Sequence, residues 1–292
     1  MEGGKGPDLY METNANVRSL VSRGHILDLE PFLRGEKDDV RARFNPSIVT
    51  SFSGADGSMY FMPYAIGPCA LVYNADLWKQ AGLDPNAPPT TWEQLLDYAQ
   101  KLTKEGRYGL AMFGKGDGSS TWRTSYWWMT NGADVLSDTG EVTVNTPQFV
   151  EAMKFWSDLF NKYHVVPPSA PQNSFSENNA LFASGVAAMV QSGVWQFGVT
   201  ESMNPSFKGQ LRAALMPVRE SPVAAGGGDD GIGITTASKH PREAWELLKF
   251  LCSEEAGRVL WDIQGKFPAN QRALSTPQYQ ADPLVQMWSG IL

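Results

Sequence analysis

Cysteine and histidine are scarce in this 292-residue chain, which contains two cysteines and three histidines. Cys69 and Cys252 stand in the apolar contexts GPCALVY and LLKFLCS without CxxC or Cys/His spacing, which predicts buried apolar residues. His25, His164 and His240 are isolated from one another and form no HExxH-like zinc pattern. The sequence therefore predicts no metal site and no cofactor.

An excess of basic residues and long apolar runs are missing as well. The formal net charge is −7 and the isoelectric point is near 5.1, whereas binding to nucleic acid or anionic lipid requires clustered Lys and Arg. No apolar run of about 18 residues occurs, and the first residues, MEGGKGPDLYM, lack the charged and apolar regions of a signal peptide. We therefore expect no membrane span or signal in this chain and no nucleic-acid partner.

Catalytic motifs are also absent. There is no GxSxG elbow, and the GGGDDG run at 226–231 lacks the GK[ST] of a phosphate-binding loop. A glycosidase needs two carboxylates roughly 5 to 10 Å apart. Glu12, Asp56, Asp117 and Asp229 are candidates, but the sequence places no two of them opposite each other. We expect no enzyme activity, and a carbohydrate-active enzyme remains the alternative.

Alternating helix and strand signals fill a chain long enough for two domains. Capping residues and apolar spacing predict helices over 91–104, from 147, from 241 and over 253–265, with shorter ones at 14–23 and 174–184. Strand-length apolar runs occupy 7–11, 69–73, 108–113, 186–190, 211–216 and 231–235. This alternation predicts α/β layers with mostly parallel strand pairing.

Tryptophan is abundant, with 10 residues. Trp122, Trp127, Trp128 and Trp195 lie in or beside glycine-rich polar segments, and we expect them outside helical stripes. An exposed indole stacks on the C–H face of a pyranose while nearby polar groups bind its hydroxyls. We predict ligand contact for Trp195 and core packing for Trp127 and Trp128, and leave Trp122 open between the two roles.

Two glycine-rich segments, 114–120 and 221–233, are predicted loops. In the second, consecutive glycines precede Asp229 and Asp230. Such a turn lets the backbone approach a ligand closely while a carboxylate accepts hydrogen bonds from hydroxyls. The alternative is a solvated loop without a ligand.

An ordered set of motifs runs along nearly the whole chain. It begins with MPYAIGPCALVYNADLW at 62–78, AGL at 81–83 and PPTTWE at 88–93. FASGVAAM at 182–189, SGVW at 192–195 and FPAN at 267–270 follow in order. The set resembles the extracellular solute-binding proteins of family 1, which are the sugar-capturing subunits of bacterial ABC importers.

The resemblance implies an α/β fold of the two-lobed periplasmic-binding-protein class (type II), with interleaved lobes and mixed sheets flanked by helices. Residues 1–65 and 226–292 would form lobe I, and residues 66–225 would form lobe II. The chain would cross between lobes near 64–67 and near 224–228. The family's leading strands and terminal helical region have no counterpart here, so we expect lobe I to be incomplete at its N-terminus and both termini to be missing.

The resemblance also implies a function. A monomer outside the cytoplasm, in the periplasm or lipid-anchored at the cell surface, would capture a mono- or oligosaccharide in a cleft between the lobes. It would deliver this sugar to the transmembrane subunits of an ABC importer. The alternatives are a non-sugar solute on the same scaffold and the carbohydrate-active enzyme named above. The implied ligand-contacting positions are Glu12, Asn14, Tyr64, Trp122, Trp195, Gly227, Gly228, Asp229 and Arg272.

Overall fold

A computed structural model describes residues 6–137, 139–220 and 229–291 of the chain. Its strands are β1 (Leu9–Thr13), β2 (Met62–Ile66), β3 (Ala70–Asn74), β4 (Tyr108–Ala111), β5 (Ala187–Ser192), β6 (Leu211–Ala214), β7 (Asp230–Ile234) and β8 (Phe267–Pro268). Its helices are α1 (Val17–Ser22), α2 (Glu30–Leu33), α3 (Pro46–Ser51), α4 (Ala75–Gln80), α5 (Trp92–Leu102), α6 (Gly118–Thr130), α7 (Pro147–Asn161), α8 (Phe175–Ala183), α9 (Trp195–Met203), α10 (Pro241–Leu251), α11 (Glu254–Gln264), α12 (Pro277–Gln280) and α13 (Pro283–Ser289).

The described residues form two compact units. The first contains residues 6–68 and 229–290, and the second contains residues 69–137, 139–220 and 291. The chain thus changes unit between Pro68 and Cys69, next to the crossing predicted near 64–67. The other predicted crossing, near 224–228, lies outside the described residues, and the assignment of the units to lobes stays a prediction.

The first unit contains a four-stranded sheet in the order β1-β7-β2-β8, in which all neighbouring strands are antiparallel. Thr13 at the end of β1 and Ala65 near the end of β2 both pair with Asp230, the first residue of β7. The C-terminal ends of β1 and β2 therefore meet the start of β7 at one edge of this sheet.

The core of the first unit lies between this sheet and α10. Ile232 and Ile234 of β7 pack in one cluster with Trp245 and Leu248 of α10, and all four side chains are buried. Burying one such side chain contributes about 1.5–3 kcal/mol. This packing joins β7 to α10.

The second unit contains the sheet β4-β5-β3-β6, in which β4 and β5 are parallel and the other neighbours are antiparallel. The predicted mostly parallel pairing is therefore wrong: among the described strands, β4–β5 is the one parallel pair. Helix–strand alternation implies parallel pairing only where successive strands become neighbours in one sheet. Here β2 and β3 belong to different sheets, and β7 inserts between β1 and β2.

Helix α6 covers a segment in which we expected a loop followed by non-helical tryptophans. Gly118, where it begins, lies inside the predicted loop 114–120, and the side chain of Asp117 caps it by accepting a 2.8 Å hydrogen bond from the Ser120 amide. Glycine and serine have low helix propensity, so the first turn gave no helical signal. Trp127 and Trp128 lie on this helix at 4% and 9% exposure, which confirms their predicted core packing.

Both cysteines are free and buried, as predicted. Burial raises the pKa of the Cys69 thiol to about 11, so it stays protonated at neutral pH. In the part of the chain that the structure describes, no three His, Cys, Asp or Glu side chains group as a metal site. None of the helices within those same residues combines the length and apolar character needed to cross a membrane.

Candidate ligand-binding site

Glu12 lies at the end of β1 with its carboxylate held by local hydrogen bonds. Its Oε1 accepts a 2.8 Å bond from the Thr13 amide, and its Oε2 accepts a 3.2 Å bond from the Tyr10 hydroxyl. The Glu12 charge raises the pKa of Tyr10, with burial and the hydrogen bond adding to the effect. A carboxylate has about four acceptor sites, so Glu12 keeps capacity for further donors.

Asp229, just before β7, joins two other segments of the first unit. Its Oδ1 accepts a 3.1 Å bond from the Gly67 amide, and its Oδ2 lies 3.5 Å from Asn14 Nδ2. The backbone N–H of Asn14 also donates to the backbone carbonyl of Asp229 at 3.1 Å. Asp229 is 6% exposed, so this carboxylate connects the residue after β1, the residue after β2 and the start of β7 inside the protein.

The environment of Asp229 shifts its ionisation. Burial raises the pKa of this carboxyl to about 6, the Gly67 N–H opposes the shift, and the charge of Asp230 adds to it. Lys266 Nζ lies 3.0 Å from Asp230 Oδ2 and compensates that second charge. Above pH 6 the Asp229 carboxylate is an acceptor only, and below pH 6 it gains a proton to donate.

Tyr64 and Arg272 complete the described part of the predicted set in the first unit. Tyr64 is half-buried against the core, its carbonyl accepts a 3.0 Å bond from the Ala269 amide, and burial raises the pKa of its phenol. Arg272 is exposed, and its amide donates to Asn270 Oδ1 at 3.1 Å. The structure thus brings Glu12, Asn14 and Asp229 to one sheet edge, whereas no hydrogen bond among the described residues links the Arg272 side chain to them. Gly227 and Gly228 lie outside the described residues.

Trp122 and Trp195 lie together in the second unit. Both are half-buried, and their ring centroids are 6.4 Å apart with an interplanar angle of 41°. Trp195 begins α9 and its ring covers Gly193, where an added Cβ would lie 2.1 Å from the ring. Glycine at 193 is therefore required for this ring position.

The aromatic pair lies near the carboxyl ends of the two parallel strands. Ala111 and Val190 are partners near the ends of β4 and β5, and Ser192 pairs with Ala70 at the start of β3. Helix α9 starts just after β5, so Trp195 lies at the edge where the chain enters the second unit. Ligands of open α/β sheets bind outside the carboxyl ends of strands.

Sequence reasoning missed several buried polar residues of the second unit. Arg123 and Gln191 are 3% and 4% exposed. Within the described residues, Ser120 Oγ, Ser192 Oγ and Gln196 Oε1 are buried without a hydrogen-bond partner. The one sequence signal was the polar Gln191-Ser192 pair, which ends an otherwise apolar strand.

Two of the four acidic residues considered for glycosidase chemistry have local structural roles. The pKa of Asp117 is lowered by hydrogen bonds from Ser174 and Ser120. The pKa of Asp56 is lowered by the Ser58 amide and the Tyr60 hydroxyl. A glycosidase general acid needs a raised pKa, so neither Asp56 nor Asp117 suits that role.

Comparison with known proteins places the chain in a family. Residues 1–258 match the model of the bacterial extracellular solute-binding proteins. The arabinooligosaccharide-binding protein of Bacillus subtilis is 25% identical over 251 residues, which cover 83% of this chain and 55% of that protein. This chain spans between 54% and 66% of the length of the curated relatives that match most of it.

Solved structures show the same fold. An ABC transporter solute-binding protein of Thermotoga lettingae, bound with alpha-D-tagatose, is 26% identical with a TM-score of 0.90, and the match covers 98% of this chain and 73% of that one. MalE3 of T. maritima, bound with maltose, is 23% identical with a TM-score of 0.88 over 99% of this chain and 73% of that one. The predicted class, a two-lobed periplasmic-binding-protein fold with mixed sheets, is confirmed. The chain belongs to the bacterial extracellular solute-binding protein family, which is a family of binding proteins and not of enzymes.

Proposed function

We propose that this chain captures a mono- or oligosaccharide and delivers it to the transmembrane subunits of an ABC importer. The observation that carries the proposal is the pair of half-buried indoles, Trp122 and Trp195, at the carboxyl edge of the second unit's sheet. The face of an indole covers the apolar C–H face of a sugar ring, and the positive edge of a second indole attracts the oxygens of the sugar weakly. The sugars named for two of the similar proteins support this ligand class.

We propose that polar contacts to the sugar come from the residues at the sheet edge of the first unit. Sugar hydroxyls removed from water need hydrogen-bond partners. Glu12 and Asp229 supply carboxylate acceptors, and Asn14 supplies an amide. The Tyr64 phenol is protonated at neutral pH and both donates and accepts. Gly227, Gly228 and Arg272 remain predicted contacts, and the cleft between lobes remains a prediction of the sequence.

The same residues disfavour a phosphate ester as the solute. Glu12 and Asp229 would place carboxylates beside the phosphate, and like charges held a few ångströms apart repel strongly in a site of low dielectric. A neutral sugar avoids this repulsion and uses the same oxygens as acceptors. We therefore keep the neutral carbohydrate as the proposed ligand.

The proposal also includes the absence of chemistry on the sugar and the place of action. We propose that the chain releases its ligand unchanged, acts outside the cytoplasm in the periplasm or lipid-anchored at the surface, and works as a monomer. The formal net charge of −7 supports the absence of a nucleic-acid partner.

Thermal unfolding with a panel of neutral mono- and oligosaccharides tests the proposal. A sugar present at about 100 times its dissociation constant raises the unfolding free energy by about 2.7 kcal/mol, which is a measurable increase in midpoint. Trp195→Ala should weaken binding of that sugar about 5- to 30-fold, because loss of one stacking ring costs about 1–2 kcal/mol. Tyr163→Ala, which removes another half-buried ring of the second unit, is the matched control.

The thermal unfolding experiment has three informative outcomes. Stabilisation by a neutral sugar that Trp195→Ala loses and Tyr163→Ala keeps supports the proposal. Equal affinity in Trp195→Ala and wild type removes Trp195 from the binding site and with it the observation that carries the proposal. Absence of stabilisation by every neutral sugar overturns the ligand class.

A further inference from the structure

Arg123 on α6 carries a positive charge inside the second unit. It is 3% exposed, and no ion pair joins it to an acidic side chain in the described part of the chain. Its Nη1 donates to the Ser119 carbonyl at 3.1 Å and to Ser119 Oγ at 2.6 Å. A buried guanidinium in this state costs free energy unless its surroundings compensate, so its retention requires an explanation.

Three aromatic rings surround this guanidinium. Its Cζ lies 4.2 Å from the ring centroid of Phe113, 4.6 Å from that of Trp122 and 5.6 Å from that of Phe175. A cation over an aromatic face is attracted to the ring, and the attraction is stronger when both groups are removed from water. The position of the Trp122 indole is thus tied to the position of the guanidinium.

A reciprocal pair of hydrogen bonds ties the same arginine to β5. Arg123 Nε donates to the Gln191 carbonyl at 3.1 Å, and Gln191 Nε2 donates to the Arg123 carbonyl at 3.0 Å. Gln191 lies four residues before Trp195, with Gly193 between them under the Trp195 ring. Arg123 therefore contacts one indole directly and anchors the strand that leads to the other.

We infer that Arg123 is a positioning residue that fixes the relative orientation of Trp122 and Trp195 for ligand stacking. The inference rests on the proposed function, because stacking on both rings requires a set angle between them. The planar guanidinium is needed for this role, since it stacks on rings and donates in-plane at the same time, whereas a lysine ammonium does not. Burial lowers the pKa of Arg123 to about 10, so the group keeps its charge at neutral pH.

The test uses Arg123→Lys and Arg123→Gln, with Arg212→Gln as the matched control. Arg212 is an exposed arginine of the second unit whose guanidinium also donates to backbone carbonyls, those of Gly209 and Leu211. Two quantities are measured for each variant: the dissociation constant of the stabilising sugar and the near-ultraviolet circular dichroism of the tryptophans. The second readout is sensitive to the packing of the tryptophan rings, including Trp122 and Trp195, and needs no ligand.

Both Arg123 variants should bind the sugar roughly tenfold more weakly, equivalent to about 1.4 kcal/mol, and should change the near-ultraviolet spectrum. The Trp122→Phe spectrum identifies the part of the signal that belongs to the pair. Arg212→Gln should match wild type in both readouts. Wild-type affinity together with a wild-type spectrum in Arg123→Lys overturns the inference.

Two cases need separate readouts: Arg123 variants that do not fold, and a wild-type protein that binds no sugar. If the Arg123 variants do not fold, Ser119→Ala replaces them, because it removes the Ser119 hydroxyl that the guanidinium binds. This variant should give a smaller change in both the dissociation constant and the spectrum. Wild-type values of both readouts overturn the inference. If wild type binds no sugar, the proposed function fails, while an altered spectrum in Arg123→Lys still supports the positioning of the indoles and an unaltered one rejects it.

Discussion

Replacing Asp229 by asparagine should stabilise the protein at alkaline pH. Burial raises the pKa of Asp229 from the ordinary value of 3.8 to about 6 in the folded protein, as the Gly67 N–H compensates only part of the burial. A folded-state pKa above the unfolded one means that folding favours the protonated form. The contribution of this group to stability is therefore greatest below pH 4 and is lost as pH rises through 6.

The magnitude follows from the rise of the Asp229 pKa from 3.8 to about 6. At about 1.4 kcal/mol per unit, ionised Asp229 costs about 3 kcal/mol of unfolding free energy above pH 6. The side-chain amide introduced by Asp229→Asn is neutral and keeps an oxygen to accept the bond from the Gly67 amide, which is 3.1 Å long in the wild type. The variant should thus exceed wild type by up to about 3 kcal/mol at pH 8 and should approach it at pH 4.

Urea unfolding followed by tryptophan fluorescence, between pH 4 and pH 8, measures this difference. Asp56→Asn is a control of opposite sign, because the Ser58 amide lowers the pKa of the fully exposed Asp56 carboxyl. That variant should lose stability at neutral pH, and the difference from wild type should shrink as pH falls. A stability difference between Asp229→Asn and wild type that does not vary with pH would refute the buried-carboxylate reasoning.

Three further predictions concern the aromatic pair, the acidic edge and the core. Gly193→Ala should displace the Trp195 ring and weaken sugar binding, since the new Cβ would lie 2.1 Å from the ring. The control variant Tyr163→Ala should bind the sugar nearly as wild type does. Unchanged affinity of Gly193→Ala in calorimetry would contradict the close contact. Asp230→Asn should lower the pKa of Asp229, because the Asp230 charge raises it; carbon-13 NMR titration of the carboxyl groups would show an unmoved midpoint if this is wrong. Leu95→Ala, at a position with 0% exposure, should cost about 2–5 kcal/mol in urea unfolding, and a loss below about 1 kcal/mol would contradict its place in the core.

Helices with strong local signals were predictable from the sequence. The expected helix over 91–104 corresponds to α5, whose cap is the 3.3 Å bond from the Gln94 amide to Thr91 Oγ1. Helix α6 was not predicted, because its first turn is rich in glycine and serine and its cap is a single aspartate. Strand direction was also beyond reach, since the neighbours of β7 come from the other end of the chain.

The candidate site shows the same division between local and long-range information. The ligand contact of Trp195 stays a prediction, and it rests on a local feature, the place of this residue after a buried strand. The bond from the Gly67 amide to Asp229 joins residues 162 positions apart, and the sequence carries no signal for it. Arg123 was missed because the segment around it gave no helical signal and a single arginine is ordinarily solvated. Only its packing against Phe113, Trp122 and Phe175 shows that it is buried.

Isothermal titration calorimetry with the sugar that stabilises the protein most tests the central claim directly, provided that the sugar is recovered and analysed afterwards. Capture without chemistry predicts saturable binding with one sugar per chain and recovery of an intact ligand. Release of new reducing ends, or the absence of saturable heat with every neutral sugar in the panel, would contradict it.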